Sequence, residues 1–303
     1  MKIDNYSYKE EYKEIENSFI QEKLKENRDL LKKNFFKNGF YLNKSESLNT
    51  DHLVQDFQAF SSIFGCEIIH DANRRKKYRF KNTQDENLSS VDIGANAINP
   101  HSEASFSPIR PAIIAFLCLN ISPEAKLSGL TTFIDGAEVW KNLNVKTKKE
   151  IQSLVIKYSV EIDLNIKKNL KGNMIPSYLD YSNVSNVMLN TREAKLKFIY
   201  NSPFVHEHPL TRDLCITNHA FVDLKQESQI RKKEFILNGE IFNFSSDIIK
   251  DLFDSMHNNT FTHKWQKGES IVIDNFRFMH GRLKFNEKHN RELIIRQLKK
   301  FKI

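Results

Sequence analysis

Two short segments carry residues suited to metal chemistry. The first is Asn99-Pro100-His101-Ser102-Glu103. On a strand, residues i and i+2 point to the same side, so His101 and Glu103 can aim an imidazole and a carboxylate at one point. Its ordinary alternative is a surface histidine beside a solvated glutamate. The second segment runs from Asp274-Asn275 to Phe278-Met279-His280-Gly281-Arg282, a polar cluster directly behind the apolar run 270–273. Core packing does not call for that cluster, and a turn rich in hydrogen bonds is its ordinary reading. If His280 joins His101 and Glu103, the set is two histidines and one carboxylate, the facial triad of non-haem Fe(II) oxygenases. Such a set covers one face of an octahedral ion. It leaves room for a bidentate 2-oxo acid and for dioxygen.

A 2-oxo diacid also needs a partner for its distal carboxylate. Arg291 lies eleven residues after His280, in Arg291-Glu292-Leu293-Ile294-Ile295-Arg296, which reads as a strand with an arginine near each end. A guanidinium offers a fixed, charged, two-pronged donor for a carboxylate. A nearby hydroxyl would complete the site, and Thr131 in Gly129-Leu130-Thr131-Thr132-Phe133 is the candidate. A surface arginine and a strand threonine are the plain alternatives.

The elements that must position these residues follow from the hydrophobic pattern. Residues 8–36 read as one long helix, with Tyr12, Ile15, Phe19, Ile20, Leu24, Leu31 and Phe35 at helical spacing, and Gly39 ends it. Residues 39–42 look like a short strand and 51–64 like a second amphipathic helix. The run 113–119 reads as a buried strand. Thr147 with Glu150 is a capping-box pattern that opens a short helix. Strands are expected at 154–162, 196–200, 214–217, 270–274 and 293–298, with a helix at 247–256. There is no strand–helix alternation and no GxGxxG, which excludes a dinucleotide-binding fold. The expected architecture is mainly β with helical buttresses, of jelly-roll or double-sheet type, in a single domain over 1–303 with a helical N-terminal buttress at 1–65. The polar, loop-like stretches 71–99 and 163–190 are lid candidates.

Composition narrows the function classes. Hydrophobic residues at 40% and 23 phenylalanines are ample for a core, which excludes a disordered chain. The net charge of +8 comes from 46 Lys+Arg against 38 Asp+Glu spread along the whole length, and Arg74–Lys77 is the densest basic patch. Without a basic stripe or a stacking aromatic motif, a nucleic-acid partner is not expected. Cys66, Cys118 and Cys215 are widely spaced and contain no CxxC, so no disulfide framework is expected. With no apolar segment of membrane-spanning length and no signal core, the expectation is a cytoplasmic protein with no membrane association.

These motifs resemble those of the TauD/TfdA-like Fe(II)/2-oxoglutarate-dependent dioxygenases, across nearly the whole chain. His101-Ser102-Glu103-Ala104-Ser105-Phe106, with Pro108, Arg110 and 116–119, is similar to the H-x-E branch, which includes clavaminate synthase and amino-acid β-hydroxylases. The family's glycine-threonine turn reads here as 129–136, with Ser128 where one glycine is expected. His208-Pro209-Leu210-Thr211 is similar to a His-Pro-x-Thr-Gly-Glu segment, with Arg212 and Asp213 replacing Gly-Glu. The resemblance implies a double-stranded β-helix core. It implies iron on His101, Glu103 and His280, and the 2-oxoglutarate distal carboxylate on Thr131 and Arg291. Arg296 matches a second family arginine with a one-residue offset, which implies a substrate or co-substrate contact. A carboxylate at Glu103, where related halogenases carry a small residue, favours hydroxylation, desaturation or ring formation. The expected substrate is an amino acid or amino-acid derivative, in specialised metabolism. The alternatives are a small sulfonate or carboxylate, an amino acid tethered to an acidic carrier protein, and a degenerate metal-binding member without turnover. His206-Glu207-His208 is a further H-x-H, expected at a surface or pocket rim.

Overall fold

The computed structural model describes residues 2–9, 11–14, 28–47, 49–68, 88–91, 95–108, 110–122, 128–163, 183–193, 195–225, 229–285 and 291–302. Its elements in chain order begin with β1 (Lys13–Glu14), α1 (Arg28–Asn38), β2 (Phe40–Lys44), α2 (Thr50–Phe64) and β3 (Gly65–Ile68). Then come β4 (Ser89–Ser90), β5 (Ile98–His101), β6 (Ile113–Ile121), β7 (Thr131–Asp135), α3 (Gly136–Asn142), α4 (Val145–Ile151) and β8 (Val155–Asp163). The remainder are β9 (Val184–Asn190), β10 (Lys195–Pro203), β11 (His206–Glu207), β12 (Leu214–Cys215), β13 (Ile230–Leu237), β14 (Glu240–Ile241), α5 (Ser246–Asn258), β15 (Thr260–His263), β16 (Glu269–Asp274), β17 (Phe278–Arg282) and β18 (Arg291–Phe301). Two compact units result, each assembled from three stretches of chain: 1–8, 99–110 and 135–259 in one, and 9–98, 111–134 and 260–303 in the other.

The second of these units holds a six-stranded sheet, β2-β16-β6-β18-β3 with β4 beside β18, and the strands β1-β15-β7-β17 of another. Strand β6 is apolar on both faces, as a strand covered on both sides must be. Ile114, Phe116 and Cys118 join Phe133, Trp265, Phe278, Leu293 and Ile295 in one core between strands of the two sheets. The alternate residues Ile113, Ala115, Leu117 and Leu119 join Leu31, Phe35, Leu53, Phe57, Phe60 and Phe64 of α1 and α2 in another. The two helices therefore cover the outer face of the larger sheet. Asn49 caps α2 by accepting from the backbone N–H of Asp51 and His52. Gly39, at φ +71°, ends α1 in the left-handed conformation that glycine reaches without a Cβ penalty.

In the other unit, β14-β13-β8-β10-β9 form an antiparallel sheet. Its inward residues include Ile156, Tyr158, Val160 and Phe198. Helix α5, capped by Ser245, buries Ile248, Ile249, Leu252, Phe253 and Met256.

The mainly-β, jelly-roll expectation holds, and most elements fall within a residue or two of their expected places. Three differ. Of the helix expected over 8–36, the described residues hold Arg28–Asn38 as α1. Lys13–Glu14 instead pairs in parallel with Phe261–Thr262, and the calls on 15–27 lie outside the described residues. The capping residue of α4 is Asn144, whose side chain accepts from Thr147 N at 2.7 Å; Thr147 is the recipient of the cap. Of the lid candidates, 71–87, 92–94 and 164–182 lie outside the described residues, while Val184–Asn190 is strand β9. None of the three cysteines forms a disulfide. Among the described residues, no helix is long and apolar enough to cross a membrane.

Candidate metal centre and co-substrate anchor

His101 ends β5, and its ring is set by the residue two before it. Its Nδ1 lies 2.9 Å from the Asn99 carbonyl oxygen. A carbonyl only accepts, so Nδ1 carries a proton and donates, and in the neutral ring this leaves Nε2 as the nitrogen that can bind a metal. Asn99 is itself fixed by donating from Nδ2 to the Phe221 carbonyl at 3.0 Å. Glu103 is not on the strand, as the i, i+2 argument expected. It sits in a turn after β5, where Ser105 N donates to Ser102 O and Ala104 adopts φ +52°. The turn still brings Glu103 Oε2 to 4.0 Å from His101 Nε2. That is too long for a hydrogen bond.

His280 lies in β17, buried, with its ring 5.3 Å from that of Phe116 in an edge-to-face arrangement. His101, Glu103 and His280 each offer one ligand atom, and the three atoms lie within 4.8 Å of one another. Two imidazoles and a carboxylate suit Fe(II) and leave coordination positions for other ligands. The donor set therefore fits the ion that the sequence implied. His219, which with Asn218 belongs to the family-like segment at His208–Thr211 but was given no role from sequence, flanks His101. The His219 ring lies 5.1 Å from it, and His219 Nδ1 lies 3.0 Å from Ser105 Oγ.

Thr131 and Arg291 do meet. Arg291 Nη2 donates to Thr131 Oγ1 at 2.6 Å, and Nη1 donates to the Gly129 carbonyl at 2.8 Å. No carboxylate pairs with Arg291 among the described residues, and its buried Nε has no partner. Burial, followed by the nearby charge of Arg282, pulls the Arg291 guanidinium down to about 9. At neutral pH it remains a cation held in a place unfavourable to cations. An incoming carboxylate relieves that. Phe285 lies between the two guanidiniums, 4.7 Å from Arg282 and 5.6 Å from Arg291. Gly129, at φ +62°, allows this approach, since a Cβ there would stand 2.1 Å from the Phe285 ring. Arg282 and Phe285 were not singled out for this anchor from sequence.

Arg296 corrects an expectation. Along β18, Leu293 and Ile295 face the core shared with Phe116, whereas Ile294 and Leu298 face α2. Five residues from Arg291, Arg296 falls on the α2 side. Its Nη1 donates to Gln58 O at 3.0 Å, Ser61 Oγ at 2.6 Å and Ser62 Oγ at 2.8 Å. It ties a helix to the sheet and does not reach the anchor. His208 is likewise buried, not at a rim. Its Nδ1 accepts from Leu210 N at 3.2 Å and Thr211 N at 3.0 Å, closing a local turn.

A family model described as "Taurine catabolism dioxygenase TauD, TfdA family" matches residues 49–296. The 3-((Z)-2-isocyanoethenyl)-1H-indole synthase of Fischerella ambigua (strain UTEX 1903) is 25% identical over 193 residues, covering 64% of this chain and 60% of that protein. The match thus spans less than two thirds of that relative's own length. The crystal structure of the PvcB protein from Pseudomonas aeruginosa aligns with a TM-score of 0.56 at 12% identity, covering 90% of this chain and 80% of that one. The structure of AAD-2 in complex with Mn(II) and N-oxalylglycine aligns with a TM-score of 0.52 at 18% identity, covering 89% and 86%.

Proposed function

The chain belongs to the TauD, TfdA family of dioxygenases, and from that premise we propose that it uses Fe(II) and 2-oxoglutarate to oxidise an unactivated C–H bond of an amino acid or amino-acid derivative. In this reading His101, Glu103 and His280 hold the iron. Thr131 and Arg291 hold the distal carboxylate of 2-oxoglutarate. The bound metal supplies dioxygen activation coupled to oxidative decarboxylation of the co-substrate, chemistry that no side chain provides.

The protein's own contribution is geometry and charge. The Asn99 carbonyl holds the Nδ1–H of His101 and so turns Nε2 toward the ligand group. Phe116, against His280, keeps one side of that ligand dry. Arg291 and Thr131 fix one end of the co-substrate, so its other end is presented in a single register. The observation that carries the reading is the approach of three ligand atoms to within 4.8 Å. The fold relationship to a structure holding Mn(II) and N-oxalylglycine, an isostere of 2-oxoglutarate, supports it.

The name of the Fischerella relative describes a product that carries an ethenyl carbon–carbon double bond. This favours desaturation beside hydroxylation as an outcome here. A screen of free amino acids and amino-acid derivatives, scored by succinate formation coupled to substrate loss, tests the proposal. Turnover confined to small sulfonates or carboxylates would replace the substrate class. If no charge-transfer band forms when Fe(II) and 2-oxoglutarate are added anaerobically, the protein is a metal-binding member without turnover.

A further inference from the structure

We propose that Trp265 is a positioning residue for the co-substrate: its indole N–H fixes the Thr131 hydroxyl as a donor aimed only at the incoming carboxylate. The inference rests on the reading that Thr131 and Arg291 hold 2-oxoglutarate. A hydroxyl has two lone pairs to accept with and one O–H to donate. Thr131 Oγ1 accepts from Trp265 Nε1 at 2.8 Å and from Arg291 Nη2 at 2.6 Å. Both lone pairs are thereby engaged, and the O–H has one tetrahedral direction left. Thr131 is buried, and among the described residues nothing accepts from that O–H. A buried donor without an acceptor is unfavourable, and a carboxylate oxygen is the acceptor that answers it. Beside a cation that also lacks a carboxylate, the arrangement selects an anionic terminus.

Trp265 is itself held so that it cannot turn away. It is almost fully buried, and its ring meets that of His263 edge-to-face at 4.7 Å. His263 is the cross-strand neighbour of Thr131. Buried Glu269 closes the turn that carries Trp265, with its Oε2 3.0 Å from His263 Nε2 and accepting from Gln266 N at 2.7 Å. The indole is therefore a fixed strut and not merely core filling. If its N–H were removed, one lone pair of Thr131 would be released and the hydroxyl hydrogen could choose between two directions.

The test is Trp265→Phe, which keeps an aromatic ring and deletes the N–H. Anaerobic calorimetric titration of 2-oxoglutarate into Mn(II)-loaded protein should give a Kd raised roughly three- to tenfold, the worth of one ordinary hydrogen bond. Mn(II) affinity should stay unchanged. Thr131→Val should weaken 2-oxoglutarate more, and adding Trp265→Phe to it should cause no further loss. Equal affinity in Trp265→Phe and wild type would overturn the inference, as would the same loss in both Thr131 backgrounds, which would mean packing alone. Failure of Mn(II)-loaded wild type to bind 2-oxoglutarate would instead overturn the functional reading on which the inference rests. Should Trp265→Phe not fold, the wild-type protein still decides. The chain has two tryptophans, Trp140 and Trp265, so a 15N-indole spectrum holds two signals. The one assigned to Trp265 should shift on adding 2-oxoglutarate while the other stays. No shift would count against the proposal.

Discussion

Replacing Arg291 by methionine should separate two effects that one side chain combines. Its guanidinium is withdrawn from water and lies near the Arg282 charge, and its pKa is drawn well below the usual arginine value, to about 9. At ~1.4 kcal/mol per unit, that depression corresponds to roughly 5 kcal/mol of work in keeping the charge there. The bonds it donates to Gly129 O and Thr131 Oγ1 offset part of this, at about 1.5–2 kcal/mol each. Methionine fills similar space without charge, so the ligand-free protein should gain about 1–2 kcal/mol, a rise in Tm of a few degrees. Binding should move the other way. Two charge-assisted bonds to a carboxylate are worth about 3–6 kcal/mol together, so 2-oxoglutarate affinity should fall roughly 10²- to 10⁴-fold. Scanning calorimetry of the ligand-free proteins and titration of 2-oxoglutarate into the Mn(II)-loaded forms measure both effects. A variant that melts lower than wild type yet binds 2-oxoglutarate normally would refute the reasoning in both its parts.

Other outcomes follow from the same geometry. Under the proposal that the Arg291 cation receives the carboxylate, 2-oxoglutarate affinity should decline as pH rises through its value of about 9, and the decline should vanish in Arg291→Met. Glu103→Ala should abolish product formation and weaken Fe(II) or Mn(II) binding at least tenfold; unchanged product would remove Glu103 from the ligand set. Arg296→Met deletes three hydrogen bonds between β18 and α2 and should cost about 2–4 kcal/mol of stability while the Kd for 2-oxoglutarate holds, which denaturant melts and titration separate. The Glu161 carboxylate is held down to about 2 by Arg231, Lys197 and Lys195. Its contribution is therefore present above the ordinary carboxylate range and lost as pH falls toward that value. The loss should be shallower in high salt and absent in Glu161→Gln.

The proposed metal ligands were legible because their chemistry is written in short spacings: His101 with Glu103, and His280 behind a buried strand. Register carried much of the rest. The strand expected at 293–298 lies within β18, where alternate side chains face opposite sides. That same alternation places Arg291 and Arg296 on opposite faces, and reading them as one cluster overlooked the parity of strand positions. Trp265 was invisible as a functional residue because its role depends on Thr131, more than a hundred residues earlier, and no local pattern records such a contact. Arg282 and Phe285 were missed for a related reason: stacking between guanidinium and ring exists only once Gly129 lets the chain come close. At the N-terminus, apolar residues at helical spacing were read through Lys13–Glu14. Those two residues pair with β15, and local propensity gives way to a long-range partner.

The order of strands in the larger sheet also bears on how the chain reaches this state. Two of its three inner strands, β16 and β18, lie late in the sequence, yet β16 pairs with β2 and β6, with Lys44 opposite Glu269. The early strands therefore wait through most of synthesis with their apolar faces uncovered. Such high contact order predicts slow refolding and a nascent chain that depends on chaperones, with C-terminal truncations that remove β16 and β18 yielding aggregates in place of a smaller folded protein.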